Sequence, residues 1–193
     1  LFPYTTLFRS GDLALGHLAI VLHAHLPYVR SSEPGSLEED WYFQALQECY
    51  LPLLEVLETA AADRNQRARI TLGLSPTLLS LLGDTSLNAR FLPWLQQRQA
   101  LLQQAPEEHV LAANDLQEQL QRISQQWQRC QGQLIPRFAR LQQLGVLDLI
   151  TCAATHGYLP LLRQVPEAVQ AQLRTALVEH ERQLGVRPLG IWM

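Results

Sequence analysis

The sequence predicts an α/β fold with a parallel sheet, either a β/α barrel or a doubly wound sheet. Two observations carry this. Four short apolar runs alternate with stretches of helical periodicity, and each pair of runs is far enough apart for a helix to cross between them. Parallel strands need such a crossover, and it is right-handed in nearly all proteins.

The first run, His17 to Leu22, ends in His23-Ala24-His25 and reads as a strand buried on both faces. Ser36-Leu37-Glu38-Glu39 is a capping box, with Ser36 accepting from the N3 amide and Glu39 reaching back. Apolar residues at helical spacing then predict one long helix to about Ala62, broken at Asp63-Arg64-Asn65. Ile70 to Leu74 is the second strand, and Ser75-Pro76 supplies an N-cap followed by proline at the first helical position. Residues 84–144 are rich in Gln, Leu and Arg, with breaks near Pro106 and Pro136, and predict a helical insertion without strands. Gly145 closes it, Val146 to Cys152 is the third strand, a helix runs from Pro166 to Gly185, and a fourth strand begins at Leu189.

With 193 residues, 47% of them hydrophobic, the chain can bury a sizeable core. A net charge of -3 gives no electrostatic reason to expect nucleic acid or an anionic membrane as a partner. No apolar run reaches the roughly 18–20 residues of a membrane-spanning helix, and no signal peptide opens the chain. Cys49, Cys130 and Cys152 are odd in number and widely spaced, so they suit free thiols in a reducing cytoplasm better than a disulfide framework or a metal knuckle. A soluble cytoplasmic protein is expected. The opening LFPYTTLFRS, residues 1–10, reads as a non-native adapter-derived segment, and the chain stops inside the fourth strand.

In a parallel β/α array, functional residues collect where strands end. That rule brings His23 and His25, Ser75, the segment Thr155-His156-Gly157-Tyr158, and Trp192 to one rim. A single histidine after a strand is more often a structural residue, but three on one rim point to a site. His23 and His25 alternate along an extended segment and are expected to point to opposite sides, which disfavours a metal site made by that pair. Trp41 on the first helical turn has a face that would suit a pyranose, yet is read as core. Glu38, Glu39 and Asp40 are read as a solvated helix start favoured by the helix dipole. Phe91, Trp94, Trp127 and Phe138 are expected to pack within the insertion.

Val21-Leu22-His23-Ala24-His25-Leu26-Pro27-Tyr28-Val29-Arg30 resembles the first signature of glycoside hydrolase family 57, and Leu37-Glu38-Glu39-Asp40-Trp41 resembles its 1,4-α-glucan branching enzymes. Thr71 to Leu79, Cys152 to Pro160 and Gly190-Ile191-Trp192 match further blocks in order, so the resemblance runs from about Leu18 to the end. It implies an incomplete (β/α)7 barrel, of which residues 11–193 form the N-terminal part with its first four strands and the insertion at 84–144. It also implies a retaining mechanism with a Glu nucleophile and an Asp general acid, their carboxyl groups about 5–5.5 Å apart.

The family's nucleophile follows a strand-four Trp-Leu-Pro-Glu, whereas this chain reads Trp192-Met193 and stops. No catalytic residue is therefore expected within it, and the fragment itself is expected to be inactive. By the resemblance, His23 and His156 line the donor-sugar subsite, with His25, Tyr158 and Trp192 as further substrate-binding residues. The partner implied is an α-glucan such as amylose or glycogen-like chains, in glycogen biosynthesis, with neither metal nor organic cofactor.

An α-amylase or 4-α-glucanotransferase of the same family remains an alternative, since later loops choose the acceptor. A metal-dependent polysaccharide deacetylase is another, although it needs an Asp beside the end of strand one and Asp12 lies well upstream. A fourth is an inert sugar-binding fragment.

Overall fold

The computed structural model describes residues 18–31, 33, 35–63 and 69–193. The segment 1–10, Asp12, His17 and the helix-breaking pair Arg64-Asn65 lie outside the described residues. Strands β1 (Val21–Ala24), β2 (Ile70–Leu74), β3 (Leu147–Cys152) and β4 (Ile191–Trp192) form one sheet in the order β1-β2-β3-β4, and every pair is parallel. That order decides between the two predicted architectures. A doubly wound sheet reverses its strand order at a switch point, whereas a barrel adds each new strand on the same side. The four strands make half of a β/α barrel.

β2 has the bounds read from the sequence, and β3 begins one residue later than expected. β1 differs. Pairing starts only at Val21, and the strand includes His23 and Ala24. Leu18, Ile20 and Val21 are exposed, so the expectation of burial on both faces fails: β1 pairs only with β2, and no described element covers its outer side. β4 likewise begins at Ile191, not Leu189.

Helix α1 (Leu37–Ala45) is capped by Ser36, whose hydroxyl accepts from the Glu39 amide at 3.3 Å. It runs through a wider π-helical turn (Leu46–Tyr50) into α2 (Leu51–Ala62). Pro52 explains the widening, because it has no N–H to return to Glu48, and the Leu51 amide bonds Leu46 one residue further back. Tyr42, Phe43, Leu46 and Tyr50 form the buried stripe.

Two readings of this helix start are corrected. Trp41 lies a step of about 100° round the helix from that stripe, and it is 50% exposed instead of packed in the core. Glu39 is fully buried: its carboxylate does not reach back to Ser36 but accepts from Arg90 at 2.7 and 2.8 Å and from Arg30 at 3.2 Å. Asp40 is also engaged, accepting from Trp94, Arg98 and Gln44. Only Glu38 remains a solvated acid.

Ser75 caps α3 (Pro76–Leu82) by accepting from the Leu78 amide at 3.2 Å. The stretch 84–144 holds α4 (Thr85–Asn88), α5 (Phe91–Leu102), a 3-10 turn (Glu107–His109), α6 (Val110–Arg129) and α7 (Ile135–Gln143), with no strand. On α6, Ala113, Leu120, Ile123 and Trp127 make one buried stripe. Trp127 meets Phe91 at 4.5 Å and Phe91 meets Phe43 at 5.9 Å between ring centroids, so the insertion's aromatics pack against α1 as well as one another. The chain turns into α7 through Gln131 and Gly132, both at positive φ, and not at Pro136, which sits harmlessly in the first helical turn.

After β3 come α8 (Leu159–Leu162) and α9 (Pro166–Leu184). α9 packs on α3 and β3 and ends at Gly185, whose φ of 73° gives the left-handed cap predicted for a glycine there.

Candidate functional site

The carboxyl ends of β1, β3 and β4 bring four rings together. His23 Nε2 lies 2.7 Å from His156 Nε2, so one ring donates to the other. His25 and His156 have centroids 4.1 Å apart, and Trp192 stacks on His23 at 5.5 Å with 21° between the planes. Four of the five substrate-binding residues named from the sequence therefore meet.

Their placement has local causes. His23 is paired with Gly73 of β2, and a Cβ built on that glycine would lie 2.8 Å from His23 Nδ1, so the ring occupies space that only glycine leaves open. His25 lies just beyond the end of β1. The His23 and His25 rings face the same side, with centroids 6.1 Å apart and planes 20° apart. The expectation that they diverge is overturned, because side chains change sides at every residue and positions two apart share a face. His156 has φ of 57°, a left-handed conformation that histidine tolerates better than most residues. Its amide donates to Ala153 O at 2.8 Å. Gln172 of α9 grips the preceding residue from both directions: its Oε1 accepts from the Thr155 amide and its Nε2 donates to Thr155 Oγ1, each at 2.9 Å.

Burial, followed by the charged form of His156, lowers the pKa of His23. The same causes with His23 added pull His25 down to about 4. Both rings are therefore neutral near pH 7, each with one N–H and one lone pair. The Nδ1 atoms of His23 and His25 are enclosed and have no hydrogen-bond partner. One nitrogen from each of the three histidines lies within 4.8 Å of the others, so the group has the composition of a metal ligand set as well as of a hydroxyl-binding site.

Tyr158 does not join the cluster. It sits exposed at the start of α8, and no ring contact among the described residues links it to the histidines. Ser75 is buried and spends its hydroxyl on its own helix. A groove of about 630 Å³ lined by Asn88, Trp127, Gln131 and Gln183 lies at the carboxyl-terminal ends of α3 and α9, away from the rim.

The residues 19–193 match the sequence profile of Glycosyl hydrolase family 57. The chain belongs to this family. A 1,4-alpha-glucan branching enzyme of Thermococcus kodakarensis is 31% identical over 181 residues, which is 92% of this chain and 26% of that protein. The solved GH57-type branching enzyme of Pyrococcus horikoshii superposes with a TM-score of 0.83 at 34% identity, covering 92% of this chain and 34% of that one. The alpha-amylase AmyC of Thermotoga maritima gives 0.80 at 31% identity, covering 90% and 34%. The family 57 chain thus spans a quarter to a third of these relatives.

Sequence reasoning missed three supports of the site. Gly73 inside an apolar strand was a readable sign of close approach. Arg30, which ties the loop after His25 to Glu39, Asp84 and Ser86, and Gln172, which anchors Thr155, had no signal beyond their polarity. The three cysteines are free, and among the described residues no helix is long and apolar enough to cross a membrane.

Proposed function

We propose that this chain is the N-terminal half-barrel of a 1,4-α-glucan branching enzyme, and that His23, His25 and His156, with Trp192 beside them, hold one glucosyl residue of an α-glucan. The observation that carries this is the convergence of three imidazoles, two of them neutral with enclosed and unpartnered nitrogens, at the carboxyl rim of a half-barrel. Neutral imidazoles both donate and accept, as sugar hydroxyls do, and the Trp192 ring offers an apolar face to a pyranose. In this reading Tyr158, exposed at the start of α8, touches a neighbouring sugar unit.

The Glu nucleophile and Asp acid that the family resemblance implies are not provided by these rim residues. In this reading they come from sequence after β4, about 5–5.5 Å apart, and the glucan is cleaved at an α-1,4 bond, held covalently and passed to a 6-hydroxyl. The chain of residues 1–193 alone is then expected to show background activity, and the longer protein to act in cytoplasmic glycogen-type synthesis. The histidines' part is to orient the sugar ring against the nucleophile.

Titrating the chain with maltoheptaose, followed by Trp192 fluorescence and calorimetry, tests the placement. His23→Ala and His156→Ala are each expected to weaken binding about tenfold, the loss of a buried hydrogen-bonding group. Unchanged affinity in both overturns it. A second reading, hydrolysis, is favoured by the likeness to AmyC at the same 31% identity as the branching enzyme of T. kodakarensis. In the longer protein, new α-1,6 linkages support branching, and reducing ends without new branches support hydrolysis.

A further inference from the structure

We infer that His23, His25 and His156 also form a binding site for one divalent transition-metal ion of the zinc class, in the space where the sugar would sit. The three ligand nitrogens lie within 4.8 Å of one another, on a strand, on the loop beyond it and on the turn after β3. Tetrahedral zinc with bonds of about 2.0–2.1 Å needs ligand nitrogens about 3.4 Å apart. His23 Nε2 and His156 Nε2, now 2.7 Å apart, must open, and the third ring must close in, by shifts of roughly 1 Å that rotation about the broad χ2 torsion supplies.

A second observation points the same way. The one hydrogen bond His23 makes is to His156 itself, and the Nδ1 atoms of His23 and His25 have no partner among the described residues, so no group outside the cluster holds these rings against the rotation an ion requires. No carboxylate belongs to the group, and an all-imidazole set selects zinc, copper or nickel over magnesium or calcium. Three histidines also leave the fourth coordination position for water, as in open zinc sites. The scaffold is built before the ion arrives, since Gly73 makes room for His23 and Gln172 anchors the residue before His156. Preformed ligands lower the cost of ordering on binding. Ion binding stands independently of the glucan reading, whereas exclusion of the sugar by the ion rests on it.

The test uses the untagged chain, freed of metal with chelator and titrated with Zn²⁺ by calorimetry and with Co²⁺ by visible absorption. One ion per chain is expected, with His25→Gln and His156→Asn each weakening it roughly tenfold or more. Absence of stoichiometric binding, or unchanged affinity in both variants, overturns the site. So does a thiolate-to-cobalt charge-transfer band, which would place the ion on a cysteine. Should a variant fail to fold, the unaltered chain still decides: bound Co²⁺ must shift or broaden the ring resonances of His23, His25 and His156 and spare those of His109 and His180. Adding maltoheptaose separates the two readings. Displacement of the ion supports both, and retention with sugar bound elsewhere leaves the metal site standing while removing the sugar from the histidines.

Discussion

Gly73 and His23 are paired across the β1–β2 ladder, and the histidine ring lies where a side chain on residue 73 would be. Gly73→Ala puts a methyl 2.8 Å from His23 Nδ1, so the ring must turn away and the contact with His156 is lost. Because alanine suits a strand better than glycine by roughly 0.5–1 kcal/mol, thermal stability is expected to hold or rise. Maltoheptaose affinity should fall about tenfold, the cost of one misplaced hydrogen-bonding group. Unaltered affinity by calorimetry would show that residue 73 does not set the ring's position.

Glu39 joins three separate segments, because its buried carboxylate accepts from Arg30 in the loop after β1 and from Arg90 between α4 and α5. Glu39→Ala takes the shared carboxylate from two guanidiniums, leaving Arg30 with Asp84 and Ser86 and Arg90 without this partner. Removing one partner of a buried ion network costs about 3–5 kcal/mol. Urea unfolding should show that loss. A change under 1 kcal/mol would mean that water replaces the carboxylate at no cost.

His180 on α9 is fully buried, neither ring nitrogen has a partner, and burial pulls its pKa down to about 4. Its folded value lies below the unfolded 6.5, so the unfolded state binds the extra proton between them. Its stability contribution is fully present above pH 6.5 and is lost as pH falls towards 4, at up to about 1.4 kcal/mol per pH unit. His25, also lowered to about 4, adds to the same slope. His180→Leu is expected to flatten the acid limb of melting temperature against pH. An unchanged slope would show that His180 is already solvated.

Asp84 acts lower on the scale. Burial alone would raise its carboxyl, but the Leu87 amide, the Ser86 hydroxyl and Arg30 together hold it down to about 2. Its folded pKa is below the unfolded one, near 3.9, so its stabilisation persists above pH 4 and disappears as pH drops through 2. Asp84→Asn should therefore destabilise at pH 7 and have little further effect at pH 2, as read by chemical denaturation.

Gln172 holds the turn that carries His156. Gln172→Leu removes both bonds to Thr155, and faster hydrogen exchange is expected at the Thr155 amide while the β3 amides stay protected. Equal exchange in the variant would show that the left-handed turn stands by itself.

The local elements were legible in the residues. Ser36 and Ser75 announced their helices, Gly145 and Gly185 closed theirs at φ of 73°, and the bounds of β2 followed from a five-residue apolar run. These features depend on backbone geometry within a few residues of the signal. The rim assignment of His23, His156 and Trp192 followed from the rule that parallel strands end together. Tertiary structure alone decided the rest. Whether the apolar β1 is covered and whether Glu39 meets water or two arginines depend on what packs against those elements. Periodicity reports which side of an element a residue is on, but charge pairing and burial are settled by what packs against that side.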